Sequence, residues 1–299
     1  MNHLISKSGD AVPPIGLGTY PLQGREMADV VKVAVNIGYR LFDTSDDYRG
    51  ESGIGLAFSE LIESGQINRE KLFLQTKISD NNAYSDEPLK GVYFNPNSRL
   101  MQRHSVEEIV REKVASSLRV LSTDYLDSLL IHYPFPGYFV DVWRVMIDLR
   151  TEGIVRYIGV SNFHERHIEQ LISITGVNPD INEVYMSPLG IKQSLVDYCS
   201  KHNCMMMTYS PLMDVAAKRI PSDKIQPLAE KYRKSIAQII LRWSIDRGSI
   251  PLPKTKHPKR LKENFDVLDF SLTSEEISVI SSLNNDFQYI VESKTCPGL

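Results

Sequence analysis

The sequence predicts an α/β fold, an eight-stranded (β/α)8 TIM barrel, and three observations predict it. Short apolar runs alternate with helical patterns from about residue 15 to residue 267, the signature of a parallel sheet with crossover helices. The alternations number eight, the barrel number. The turn after the first strand, PPIGLGTYPLQG, lacks the G-x-G-x-x-G fingerprint that an open dinucleotide-binding sheet would carry there.

The expected strands, in order, are Ile15 to Thr19, Arg40 to Thr44, Leu72 to Ile78, Ser128 to His132, Tyr157 to Ser161, Glu183 to Met186, Met205 to Tyr209 and Ile250 to Pro253. Helix starts support the alternation. Ser105-Val106-Glu107-Glu108 is a capping box ahead of the periodic run Ile109, Val110, Val114, Leu118, and Thr273 to Glu276 opens a last helix in the same way. That helix carries Ile277, Ile280 and Leu283, a stripe suited to packing outside the barrel. The stretch from Ser79 to His104 carries turn signals and exceeds ordinary loop length. In a barrel it follows the third strand and lies over the C-terminal face, where barrel active sites sit.

Composition limits the function classes. The chain has 299 residues, 42% hydrophobic and 24% charged, with a net charge of −3. That near-neutrality gives no large electrostatic reason to bind nucleic acid. Cys199, Cys204 and Cys296 form neither a disulfide framework nor a zinc pattern, which fits a reducing compartment. The first residues, MNHLISKSGD, carry no signal- or transit-peptide pattern, and no stretch approaches the roughly 20 apolar residues that span a bilayer. A cytoplasmic protein is expected.

Four polar residues fall at or beyond the carboxyl ends of successive strands: Asp43 and Tyr48 after the second, Lys77 in the third, His132 in the fourth. Each alone has an ordinary reading as a helix cap, a solvated lysine or a structural ring. Their joint placement at one barrel mouth points to chemistry. A tyrosine is a useful acid near neutrality when a cation stabilises its phenolate, and Lys77 is such a cation. Burying Lys77 requires a countercharge, for which Asp43 is available. With His132 donating to a carbonyl oxygen, the set suits carbonyl reduction by hydride from a nicotinamide.

The motifs GLGTY (16–20), LFDTSDDYRGESGIG (41–55), LFLQTK (72–77), SLLIHYP (128–134), IGVSNF (158–163), YSPL (209–212) and LRWSIDRGSIPLPKT (241–255) make the sequence resemble the aldo-keto reductase family from Pro14 to Leu283. The resemblance implies a catalytic tetrad of Asp43, Tyr48, Lys77 and His132, with Tyr48 as proton donor and Tyr20, Tyr48 and His132 against substrate. It implies NADPH/NADP+ as cofactor, bound by Thr19, Tyr20, Asp43, Ser161, Asn162, Glu183, Tyr209, Ser210 and Leu212. Lys254, Thr255 and Arg260 are then expected to hold the adenosine 2′-phosphate, and Glu263 and Asn264 the adenine. No metal is required. The implied architecture is a single TIM-barrel domain over 1–299, with an N-terminal β-hairpin and an extra C-terminal helix, acting as a monomer on a small-molecule carbonyl.

The departures from the pattern are also informative. Glu183 stands where the family usually has glutamine, and its charge is expected to favour the oxidised ring unless burial protonates it. Ile78-Ser79-Asp80 and Tyr133 replace positions where tryptophan is frequent, and Tyr84, Tyr93 and Phe94 are candidates for lining the pocket. Met213 to Ile220 is short, without a glycine-rich cover loop. His164 and His167 share a helical face but lack a third metal ligand, so a surface pair is expected. Met205 to Met207 is expected in strand core, and Asp46-Asp47 in a solvated loop. Two rivals remain at this point: a cofactor-binding regulatory barrel with little turnover, and an isomerase or lyase with Lys77 as Schiff-base nucleophile.

Overall fold

The computed structural model describes residues 4–5, 11–79, 103–134 and 137–289. A two-residue strand, β1 (Leu4–Ile5), pairs antiparallel with β2 (Ala11–Val12), which gives the expected N-terminal hairpin. Eight parallel strands follow in sequential order: β3 (Gly16–Gly18), β4 (Leu41–Asp43), β5 (Phe73–Ile78), β6 (Leu126–Ile131), β7 (Val155–Ser161), β8 (Ile181–Tyr185), β9 (Met205–Tyr209) and β10 (Ser249–Leu252). The Gly18 N–H donates to the Pro253 carbonyl at 3.2 Å and brings the first barrel strand against the last. Glycine is required at 18, because a Cβ there would lie 2.8 Å from the Leu252 carbonyl oxygen.

The helices are α1 (Gly24–Ile37), α2 (Glu51–Glu63), α3 (Val106–Leu121), α4 (Phe139–Thr151), α5 (Glu165–Thr175), α6 (Gln193–Lys201), α7 (Met213–Ala216), α8 (Ser222–Tyr232), α9 (Ile236–Asp246), α10 (Pro258–Phe265) and α11 (Ser274–Ser281). The capping box at Ser105 forms, with Ile109, Val110, Val114 and Leu121 buried on one face of α3. The box at Thr273 forms too, and α11 packs on α8 and α9 outside the barrel. Of the Met205 to Met207 run expected in strand core, Met206 and Met207 are buried and Met205 is half-buried.

Some expectations need correction. β6 begins two residues before Ser128, because Asp127 is not a strand breaker here. Its buried carboxylate takes Arg69 at 2.8 Å, Arg156 at 3.1 Å and the Leu74 N–H at 3.0 Å, so its desolvation is compensated. His167 is buried rather than a surface partner of His164. Its Nδ1 accepts the His164 N–H at 3.1 Å and caps α5. Asp46 is not solvated either, since it pairs with Lys113 of α3 and accepts the Ser79 N–H at 3.1 Å. Tyr84, Tyr93, Phe94 and Cys296 lie outside the described residues.

Candidate active site

Alternation along the strands builds the site. Successive side chains on a strand point to opposite faces, so positions two apart share the barrel interior. Leu41, Phe73, Leu130, Tyr157, Ile181, Met207, Ile250 and Leu252 form one buried apolar cluster with Val12, which takes in the first residues of β4, β5 and β8. Two residues on, the same inward face carries Asp43 on β4, Gln75 on β5 and Glu183 on β8; one further step on β5 gives Lys77. His132, two after Leu130, Ser161 and Tyr209 continue the layer at the C-terminal end. Tyr48 joins from the loop after β4. Asp43, Tyr48, His132, Ser161, Glu183 and Tyr209 line a cavity of about 470 Å³ together with Gly18, Thr19, Tyr20, Tyr133, Ser210 and Lys254.

Lys77 is buried and lies 2.5 Å from Asp43 Oδ1 and 3.2 Å from Glu183 Oε1, and it donates to the Thr44 carbonyl at 3.1 Å. Burial disfavours the ammonium, but Asp43 and then Glu183 more than offset it, so Lys77 stays cationic well above neutrality. One cation thus faces two carboxylates. Burial, followed by repulsion from Asp43, pushes Glu183 up to about 8 against the opposing pull of Lys77. Lys77 is thus held as a cation chiefly by Asp43, its closer partner, while burial holds Glu183 toward its neutral form. At pH 7 Glu183 is then mostly neutral and the cluster carries no net charge.

Tyr48 faces His132, with its hydroxyl 3.3 Å from Nε2. Burial first, then Asp43, Glu183 and Asp47, hold its phenol above the ordinary range. The net effect of burial and the carboxylates is thus upward, against the acidifying effect expected of Lys77. The ammonium lies 5.3 Å from the Tyr48 ring centroid and is committed to two carboxylates. Burial and then the Lys77 charge lower His132 to about 3, so its imidazole is neutral. Its Nδ1 meets Ser79 Oγ at 2.7 Å and Ser45 Oγ at 3.3 Å, and the two hydroxyls are 3.2 Å apart. Rotatable hydroxyls on Nδ1 suit either tautomer.

The remaining predicted residues fall around this centre. Asn162, in a left-handed conformation with φ 62°, donates to the His132 carbonyl at 3.1 Å and accepts the Tyr209 hydroxyl at 2.8 Å. Ser210 is also left-handed, with φ 51°, where the chain turns off β9 into α7. Leu212 packs into the core beside that turn rather than lining the cavity. Thr19 donates to the Asp43 carbonyl at 2.7 Å, and Tyr20 is 60% exposed at the rim, its ring 5.1 Å from that of Tyr48. Lys254 and Thr255 lead into α10, which starts with Pro258 at its first turn and has no side-chain cap. Lys254, Lys256, Lys259 and Arg260 are exposed around that helix start, Lys256 pairing with Glu26 at 2.9 Å, and the set fits a phosphate. Glu263 and the buried Asn264 follow one turn on. The cavity runs from this basic corner to Tyr48, and the residues present fit a phosphorylated dinucleotide.

The aldo/keto reductase family model matches residues 14–285. The chain belongs to that family. It is 34% identical over 280 residues to the methylglyoxal reductase DkgA of Escherichia coli O157:H7, covering 93% of this chain and 92% of that one. It is 34% identical over 291 residues to the oxidoreductase YtbE of Bacillus subtilis, covering 96% and 95%. Among solved structures, the Bombyx mori aldo-keto reductase AKR2E4 in complex with NADP superposes with a TM-score of 0.84 at 31% identity, over 98% of this chain and 96% of the other. This reductase is accordingly an NADP-dependent oxidoreductase of carbonyls. No helix among its described residues is long and apolar enough to cross a membrane, and no metal-binding cluster occurs among them.

Sequence reasoning missed Gln75, Ser79 and the Asp46–Lys113 pair. Gln75 and Ser79 stand two positions either side of Lys77, so strand alternation alone marks Gln75 as inward-facing. Lys113 is 67 residues from Asp46, and no local pattern joins them.

Proposed function

We propose that this reductase converts a small aldehyde or ketone to its alcohol with Tyr48 as the acid, and that short 2-oxoaldehydes are within its range. When bound, NADPH supplies hydride to the carbonyl carbon. Tyr48 gives its proton to the carbonyl oxygen as that hydride arrives, and solvent returns a proton to the phenolate afterwards. The observation that carries this reading is the Tyr48–His132 pair in the cavity, with the Tyr48 hydroxyl 3.3 Å from Nε2.

The assignment of roles follows from the charges. His132 is neutral at pH 7 and so has no labile proton to lend, but its Nε2–H can donate a hydrogen bond to the carbonyl oxygen beside the Tyr48 hydroxyl. Two donors at one oxygen hold the negative charge that develops there. Tyr48 remains fully protonated, and an alkoxide is a stronger base than a phenolate, so a raised phenol pKa does not prevent transfer. Lys77 and Asp43 place a fixed dipole beneath the ring. Ser161, Asn162 and Tyr209 are assigned to the nicotinamide, Thr19 and Ser210 to its ribose and pyrophosphate, Lys254, Thr255 and Arg260 to the 2′-phosphate, and Glu263 and Asn264 to the adenine.

The small-carbonyl range is supported by the methylglyoxal reductase of E. coli among the relatives. The reading extends to a single-domain monomer in the cytoplasm, without nucleic-acid or membrane partners; the buried thiols of Cys199 and Cys204 suit such a compartment. Incubation with methylglyoxal and NADPH deuterated at the transferring position tests the reaction. Deuterium on the new carbinol carbon is expected. Oxidation of NADPH without label in an alcohol, or inertness toward every carbonyl in a panel, would favour the regulatory-barrel alternative.

A further inference from the structure

Gln75 is completely buried on β5, two residues before Lys77, and belongs to none of the roles above. Its amide nitrogen has two hydrogens and two takers. Nε2 donates to Asp43 Oδ1 at 2.9 Å and to Glu183 Oε2 at 2.7 Å. Its Oε1 has no hydrogen-bond partner among the described residues. Turning the amide over would leave the Asp43 carboxylate facing an oxygen, so Asp43 fixes its orientation at the expense of an orphaned acceptor. A buried amide kept in that state is held for its donors.

Those donors constrain Glu183. Lys77 occupies one side of Oε1 at 3.2 Å, and Gln75 one side of Oε2. The carboxyl is therefore clamped from the β5 side while Glu183 still borders the cavity. A proton on it must use the lone pairs left on that open side. Neutral, it presents a hydrogen-bond donor there; ionised, it presents an acceptor with a negative charge.

We propose that Gln75 is a positioning residue that, with Lys77, holds Glu183 so that it carries a proton beside the neutral reduced nicotinamide and releases it beside the cationic oxidised one. The inference rests on the reductase reading and on Glu183 facing the ring. The titratable groups around Glu183 are Asp43 on β4, Lys77 on β5, Tyr48 after β4, His132 after β6 and Tyr209 on β9, with Asp47, Tyr133, Lys254 and Tyr289 bordering the rest of the cavity. Lys77 is already matched by Asp43, so within the cluster no second cation stabilises an ionised Glu183. A positively charged ring supplies one, and the proton leaves to solvent. The balance is one proton released per oxidised cofactor bound and none per reduced cofactor. The upward shift of Glu183 to about 8 puts this exchange within an accessible pH range.

Calorimetric titration of the full chain with NADP+ and with NADPH, in buffers of different ionisation enthalpy, counts the protons. The difference between the cofactors cancels protons exchanged at their shared phosphates. Near pH 7 the wild type should release close to one more proton with NADP+ than with NADPH. The ratio of their affinities should then move toward NADP+ by about tenfold per pH unit, levelling near pH 8. Glu183→Gln should abolish both the proton difference and the pH dependence. Gln75→Met should move the levelling point to higher pH, and in the Glu183→Gln background should no longer affect the ratio. Equal proton counts in the wild type, a proton difference that survives Glu183→Gln, or an unmoved levelling point in Gln75→Met would each overturn the proposal. If Gln75→Met fails to fold, Gln75→Asn, which draws the amide back by one methylene, must move the levelling point in the same direction. A chain that binds neither cofactor would refute the reductase reading itself, whereas one that binds both with equal proton counts would refute this inference alone.

Discussion

The two ends of the barrel are built from the same strands on the same inward face, yet they differ in kind. Where β4, β5 and β8 begin, Leu41, Phe73 and Ile181 pack with Val12, Leu130, Tyr157, Met207 and Ile250 and expel water. Two residues further along, β4, β5 and β8 present Asp43, Gln75 and Glu183, and β5 then adds Lys77. The first layer stabilises by removing apolar surface from water. The second removes charge from water and needs every hydrogen bond it has to offset that cost. A step of two residues converts a floor that holds the fold into a mouth that holds chemistry.

Predictions that break this comparison run from the mouth to its supports. Lys77→Met should have the largest effect, because it leaves Asp43 and Glu183 buried without their cation; a loss of about 3–5 kcal/mol in denaturant stability is expected, together with the loss of NADPH turnover. A variant as stable as wild type would show that the cluster is open to water. Leu130→Ala, in the floor layer, should cost about 2–5 kcal/mol through the cavity it leaves, while the folded fraction keeps wild-type cofactor affinity. A floor substitution that altered cofactor affinity as strongly as stability would erase the distinction between the layers.

Glu183→Gln should act in the opposite direction and with a pH signature. The folded chain holds the Glu183 proton more tightly than the ordinary value of 4.5 and up to about 8, so its contribution is complete below pH 4.5 and is lost as pH rises through 8. The wild type should therefore lose stability relative to Glu183→Gln by at most about 1.4 kcal/mol per pH unit across that window. Parallel stability curves would contradict the burial argument. The smallest effect is expected from Ser79→Ala, which removes the 2.7 Å contact to His132 Nδ1; about 0.5–1.5 kcal/mol of stability should go, with a modest fall in kcat as the ring loses its orientation.

Much of this architecture was legible in the chain. The eight strands, the hairpin, the outer C-terminal helix and the placement of Asp43, Tyr48, Lys77 and His132 follow from alternation and motif order. What was not legible depends on who meets whom across the barrel. Lys77 was expected to acidify Tyr48, but that expectation counted one carboxylate near the lysine where the fold supplies two. Asp46 looked solvated because Lys113, its partner, arrives from a helix 67 residues away. His167 looked exposed because periodicity marks a face without saying what covers it. Gln75 carried a readable signal, its parity with Lys77, but a glutamine in a strand has many bland explanations until its two carboxylate partners are seen.

The central claim is that Tyr48 supplies the proton at a carbonyl held between itself and His132. It is tested most directly by steady-state NADPH oxidation with Tyr48→Phe, read beside NADPH binding to the same variant. Loss of one hydroxyl should lower kcat by about 10²–10⁴ while leaving the cofactor dissociation constant and the fold unchanged. Turnover near the wild-type rate, with cofactor bound normally, would contradict the account and place the acid elsewhere in the cavity.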